Sequence, residues 1–374
     1  MNGRQLIIDT LLGKPTERVP VAPFIFNNVV KEAYGHTPDD PIAACAEYYR
    51  KFGFDLLLRN YILGSETDEQ RLSCKDWNVS AELKGNMGVS WEEKTTITTP
   101  ERILTQVRSF RQVTPNIVVD ATSEYFIKCP EDFEQFKKYQ PSLGIIDCGQ
   151  IKHAREIVGN DGVACTWAHG AFNMSERYRC LTDLLTDPYE NDDFYHDVMT
   201  YFTDRLIDFV RQASNAGSDI ICIEGNMANG SMAGPRFFKK YVMPYENRVI
   251  EAIHDAGNFC IYHNCGDAKT LLPLYDQMNM DLYETMTPPP FGDTILEDAL
   301  HIIKPPKVLS GNLDQIDFLV HARPDQVREQ VRRILTIAKQ RGHFILATSD
   351  YLSEGTPEEN IFAFSQAAHD FGQY

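Results

Sequence analysis

Short apolar runs alternate with longer amphipathic ones along this chain, and that alternation predicts its elements. Apolar residues recur at helical spacing over 193–213, Ala216-Gly217 breaks the chain, and SDIICIE at 218–224 reads as a buried strand. The same alternation predicts a helix over 236–256, a strand at 258–263, a helix over 269–278 and a strand at 281–286. It continues with a helix over 295–303, a strand at 307–311, a helix over 324–340, a strand at 343–348 and a closing helix from Pro357. Three further short apolar runs, 19–25, 54–58 and 162–167, bring the predicted strands to eight. Eight strands alternating with helices predict an α/β fold whose parallel sheet closes into a (β/α)8 TIM barrel, with a doubly wound open sheet as the alternative.

One stretch breaks the alternation. Between the second and third predicted strands, about 65–126, VSAELKGNMGVSWEEKTTITT alternates polar and β-branched residues around Gly85 and Gly88. It predicts an inserted β-hairpin region covering part of the barrel mouth. No repeat or linker divides the chain, so residues 1–374 read as a single barrel domain carrying that insertion.

Composition narrows the function classes. Hydrophobic residues make up 43% and charged residues 24%, the balance of a globular protein with a large core. The formal net charge of −17 argues against general affinity for nucleic acid or anionic membrane, which need a surplus of Lys and Arg. No run approaches the roughly 18 apolar residues of a membrane span, and no export signal is evident, so a cytoplasmic enzyme is expected. The nine cysteines are scattered without paired spacing, which predicts reduced thiols.

Candidate chemistry gathers at predicted strand ends, which a barrel brings to one face. His263 and Cys265 in IYHNCGD are two residues apart, and side chains two apart on a strand point the same way. Imidazole and thiolate together favour zinc. Glu224, interrupting the apolar run ICIEGN, and Asp350, after the last strand in ILATSDY, are the candidate further ligands. The bland readings are a salt bridge or helix cap for Glu224 and a turn or cap for Asp350. His169, Glu284, Asn312 and Asp314 also lie near the ends of predicted strands or just after them and are candidate substrate-pocket residues. A nucleophilic Cys265 with His263 as its base is the weaker reading, because parallel side chains do not face each other. No glycine-rich nucleotide motif follows a strand.

Taken together, ERVPV near the start, GSDIICIEGNMANGSMAGPRFFKKYVMPY, YHNCGD, SGNLDQ and TPEEN at 356–360 resemble the uroporphyrinogen decarboxylase superfamily. Within it, the chain is similar to the corrinoid-dependent, zinc-containing methyltransferases. The resemblance implies a (β/α)8 barrel. The decarboxylase branch carries an arginine-rich N-terminal segment where this chain reads VAPFIFNNVV. The methyltransferase branch carries a His-x-Cys pair, matched by His263 and Cys265, and a distant third ligand, usually cysteine, shortly before a TP-x-EN segment. Here that position falls on Asp350, which leaves oxygen where coenzyme M methyltransferases have sulfur. The implied site is Zn2+ held by His263, Cys265 and Glu224 and/or Asp350. The implied activity is transfer of a methyl group from a methoxylated aromatic to the cobalt(I) of a corrinoid protein. No cobalamin-binding Asp-x-His-x-x-Gly pattern occurs in the chain, so the corrinoid is expected on a partner. The alternatives are a methylcobalamin:thiol methyltransferase of the coenzyme M type and a metal-free decarboxylase-like or silent binding barrel.

Overall fold

The computed structural model describes residues 1–59 and 72–374. In chain order its strands are β1 (Leu56–Leu58), β2 (Asn78–Asn86), β3 (Ser90–Thr98), β4 (Ile103–Gln112), β5 (Val118–Glu124), β6 (Gly162–His169), β7 (Ile220–Glu224), β8 (Phe259–His263), β9 (Leu282–Thr285), β10 (Val308–Leu313) and β11 (Phe344–Thr348). Among the described residues β1 and β6 to β11 pair in that order as one parallel sheet, curled in the manner of a TIM barrel, with helices between successive strands. These strands are buried on both faces, which is why they read as continuous apolar runs.

Alternation along each strand sorts the core into two clusters. Leu57, Val163, Cys165, Ile220, Cys222, Ile261, Leu282, Val308 and Ile345 pack inside the curl, together with Ile7 and Leu11 of the first helix, Gly3–Leu11. The alternate residues, such as Ile221, Ile223, Cys260, Tyr262 and Tyr283, face the surrounding helices.

The first predicted strand, 19–25, differs from expectation. It is an extended segment held by isolated parallel bridges, Val21 to Leu346 and Phe24 to Tyr351. Ala22 donates to the Leu346 carbonyl at 2.9 Å, Leu346 donates to Pro20 at 2.8 Å, and Asp55 donates to Val21 at 2.8 Å. The segment thus spans from β11 to the residue before β1. Pro20 and Pro23 have no N–H to give, so a regular ladder cannot form there. Side chains supply the missing attachment. Arg18 donates to both oxygens of Asp55 at 2.7 Å, and Asp55 also accepts from the Val21 amide at 2.7 Å.

The insertion is larger than the single hairpin expected. β2 to β5 form a four-stranded antiparallel sheet, and residues 65–71 of the predicted stretch lie outside the described residues. Trp91 and Phe110, register partners on β3 and β4, stack at 5.2 Å. Gly85 has φ +114°, and a Cβ there would meet the Ser90 carbonyl at 2.7 Å. Gln106 donates to the Arg177 carbonyl at 2.7 Å and Thr114 to Glu354 at 2.9 Å. Residues 177 and 354 follow β6 and β11, so the insertion is tied to the face where the strands end. No described helix is long and apolar enough to cross a membrane.

Replacing Asp55 with alanine leaves the Arg18 cation and the Val21 amide without their partner, at a cost of about 3 kcal/mol. In hydrogen exchange the amides of Ala22 and Leu346 should open faster in Asp55→Ala while those of β7 and β8 keep their protection. Uniform loss across the sheet would show that this ion pair does not specifically hold the segment.

Candidate active site

Strand register builds the site. His169 on β6 pairs with Glu224 on β7, Glu224 with His263 on β8, and His263 with Glu284 on β9. Neighbours in register on parallel strands point to the same face, and each of these residues continues the inward phase set by Cys165, Cys222, Ile261 and Leu282. The result is a row of alternating imidazoles and carboxylates along the C-terminal ends of four strands.

His263 is buried, and its two ring nitrogens face different ways. Nδ1 lies 2.9 Å from Glu284 Oε1 and Nε2 lies 3.9 Å from Asp350 Oδ1. Glu284 also accepts from Arg59 Nη1 at 2.5 Å. Burial by itself would raise the Glu284 carboxyl, but Arg59 and His263 hold it down at about 2. Burial would likewise depress His263, yet its contacts with Cys265 and Glu284 and the charge of Asp350 lift it well above its ordinary value. Burial pushes the Asp350 carboxyl up, with His263 opposing. The pocket therefore favours positive charge where these groups meet.

One donor atom each from His263, Cys265 and Asp350 lie within 4.8 Å of one another. An imidazole nitrogen, a thiolate and a carboxylate oxygen are the donor types that zinc accepts. Glu284 on Nδ1 leaves Nε2 for a metal, the usual carboxylate–histidine support. Asn226 Nδ2 approaches Cys265 Sγ at 3.8 Å. The residues present fit a zinc ion.

The three donors open into a cavity of about 400 Å³ lined also by Phe24, Phe26, Trp167, Tyr351 and Arg59. Phe24 stacks on Trp167 at 5.3 Å, and Trp167 meets the His263 ring edge-on at 4.8 Å. The walls are apolar and aromatic, while the polar groups converge around His263.

A family model described as uroporphyrinogen decarboxylase (URO-D) matches residues 162–371. The chain belongs to that family. The matched range runs from β6 into the closing helix, Glu358–Gly372, and includes His169, Glu224, His263, Cys265, Glu284 and Asp350. Over 169 residues the chain is 25% identical to a methylated-thiol–coenzyme M methyltransferase of Methanosarcina mazei, spanning 45% of this chain and 42% of that protein. The chain thus spans less than half the length of that relative. It is 20% identical over 256 residues to the methylcobamide:CoM methyltransferase MtbA of Methanosarcina acetivorans, covering 66% of this chain and 70% of the relative. A solved methyltransferase from Methanosarcina mazei superposes with a TM-score of 0.73 at 17% identity, covering 99% of both chains, and shares the fold.

Within this family fold the sequence candidates take different places. His263, Cys265 and Asp350 come together. Glu224 lines the same cavity but directs Oε2 to His169 Nδ1 at 3.3 Å, outside the three-donor group. Arg177 donates to His169 Nε2 at 3.2 Å, which puts the ring proton on Nδ1, against Glu224. Glu284 supports His263 from behind and is not among the cavity-lining residues. Asn312 donates to the Met286 and Thr294 carbonyls at 2.8 and 3.2 Å and borders a separate hollow with Pro288 and Phe318. Asp314 accepts from the Ile316 and Asp317 amides, the cap-like role that competes with substrate binding.

Sequence reasoning missed Arg59 and the aromatic walls. The signal for Arg59 was present: it ends the run LLLR two residues after the inward-facing Leu57, the same rule that picked out Glu224. Trp167 likewise continues the inward phase of Cys165. Phe24, Phe26 and Tyr351 lie on irregular segments, where period-2 counting has no hold.

Behind the row, Glu246 is fully buried and accepts from the Ala171 and Phe172 amides at 3.0 and 3.3 Å. A Cβ on Gly170 would lie 2.8 Å from both Glu246 oxygens and 2.6 Å from the Glu224 carbonyl, so only glycine lets the chain turn between His169 and the following helix, Ala171–Glu176. Burial pushes the Glu246 carboxyl up to about 7 from its ordinary 4.5, against those two amides. The folded value is the higher one. Its contribution to stability is therefore complete below pH 4.5 and is lost as the pH rises through 7. Relative to Glu246→Gln, the wild-type chain should lose up to about 3 kcal/mol across that window and no more above it, read from urea unfolding at a series of pH values. Parallel stability curves for the two proteins would refute this.

Proposed function

We propose that this chain is a zinc-dependent methyltransferase that takes the methyl group of a methoxylated aromatic, a phenyl methyl ether, and passes it to the cobalt(I) of a corrinoid carried by a separate protein. The observation that carries the reading is the meeting of His263, Cys265 and Asp350 in a cavity walled by Phe24, Phe26, Trp167 and Tyr351. His263, Cys265 and Asp350 would hold the zinc, and Glu224, which lines the same cavity, is the further candidate ligand. A donor set with one thiolate and one carboxylate leaves zinc a strong Lewis acid, which supplies stabilisation of the negative charge that develops on the departing ether oxygen.

The chain's own residues do the positioning. The aromatic side chains offer faces and edges to an arene and exclude water from the reacting oxygen. Glu284 fixes the orientation of His263 through Nδ1. His169 holds a proton on Nδ1 beside Glu224, within the cavity into which a phenolate is released. The whole chain acts as one barrel in the cytoplasm, and the corrinoid protein approaches over the mouth beside the β2–β5 sheet. Family membership and relatives named for methyl transfer support the reaction class. The names of those relatives also favour a second reading, methyl transfer from methylcobamide to a thiol.

With reduced corrinoid protein, methoxylated aromatics should discharge the cobalt(I) spectrum, and methanol and methylamines should not. Thiol-dependent demethylation of methylcobalamin, with no methylation from any oxygen donor, would replace this reading by the second. Chelation of zinc, or Cys265→Ala, should lower the rate by at least about 100-fold. Glu284→Gln should weaken zinc binding by about 10- to 100-fold in competition with a chelator.

A further inference from the structure

Among the described residues His263 belongs to two donor sets. The upper one, with Cys265 and Asp350, opens on the cavity. The deeper one consists of Cys222, His263 and Glu284, all buried, with one donor atom from each again within 4.8 Å of the others. Cys222 Sγ lies 3.7 Å from Glu284 Oε1, the same oxygen that faces His263 Nδ1. By donor chemistry alone the deeper set is as good a zinc site as the upper one. A metal bound there would sit below the cavity, out of reach of a substrate.

Arg59 stands in the way. Its Nη1 lies 2.5 Å from that same Glu284 oxygen, its guanidinium carbon lies 4.7 Å from the centre of the Phe24 ring, and the residue is 3% exposed. Among the described residues its Nε finds no hydrogen-bond partner, and the Glu284 charge and the Phe24 ring hold the cation in place. A guanidinium and a divalent metal held a few ångströms apart inside a protein repel each other, so Arg59 and a metal compete for the one carboxylate oxygen.

We propose that Arg59 is a built-in cation that occupies the deeper donor set and so directs a single metal ion to the upper one, where His263 binds through Nε2. The inference rests on the metal reading of the upper set.

The test replaces zinc by cobalt(II) and follows thiolate-to-cobalt charge transfer together with metal stoichiometry, neither of which depends on activity. The wild-type chain should bind one equivalent. Its charge-transfer band should survive Cys222→Ser and vanish in Cys265→Ser. Arg59→Met should admit metal to the deeper set, so that Arg59→Met in the Cys265→Ser background recovers a band that Cys222→Ser then removes. A wild-type band that depends on Cys222, or an Arg59→Met chain whose spectrum never acquires a Cys222 contribution, would overturn the proposal. Should Arg59→Met fail to fold, the Cys222→Ser and Cys265→Ser comparison in the wild-type background still decides which set is filled. A wild-type chain that takes up no cobalt would sink the metal reading itself, an outcome distinct from cobalt found in the deeper set.

Discussion

In-register parallel pairing of β6, β7, β8 and β9 is the constraint on which the mouth of this protein depends. Side chains along a strand alternate, and paired residues on parallel neighbours share a face, so one choice of inward phase commits every level above it. Packing Cys165, Cys222, Ile261 and Leu282 into the interior of the curled sheet brings His169, Glu224, His263 and Glu284 to the next levels. A slip of one residue in any of these strands would turn its ionisable side chain into the helix layer. The apolar interior and the polar site are therefore one structural decision, with burial of the lower layers holding the upper ones in place.

Polar groups in such a position must satisfy one another, because Arg59, His263 and Glu284 are buried away from water. They do so by setting each donor against an acceptor. Arg59 faces Glu284, Glu284 faces His263, and His263 faces Asp350; beside them Arg177 faces His169 and His169 faces Glu224. Each chain of contacts begins at an arginine and ends at a carboxylate in the cavity. This ordering holds the Glu284 and Glu224 carboxyls below their ordinary values despite their surroundings and leaves His263 with one nitrogen committed and one available. The aromatic walls lower the local polarity and strengthen each of these interactions.

Attachment of the rim follows a different logic. The segment 19–25 contributes Phe24 to the cavity, yet its two prolines deny it a regular ladder, so Arg18 and Asp55 anchor it through side chains. The β2–β5 sheet reaches the same rim through Gln106 and Thr114, each bound to a segment that follows a strand of the parallel sheet. Local irregularity at the mouth is thus compatible with a rigid floor.

The sequence by itself determined the alternation of strands and helices in the C-terminal half, because fully buried strands and amphipathic helices have distinct periods, and the observed strands there fall within a few residues of the predicted ones. It also marked His263, Cys265, Glu224 and Asp350, since a polar residue ending an apolar run stands out. Only the tertiary structure decided which of them meet. Asp350 joins His263 and Cys265 across nearly ninety residues of chain, Glu224 turns to His169, and Glu284 serves His263 from below. Those choices depend on which oxygen lies within a few ångströms of which nitrogen, a distance set by the curl and register of the sheet that no one-dimensional pattern encodes. Arg59 shows the same division: its inward phase was legible from Leu57, but its pairing with Glu284 requires β1 and β9 to face each other across the curl of the sheet.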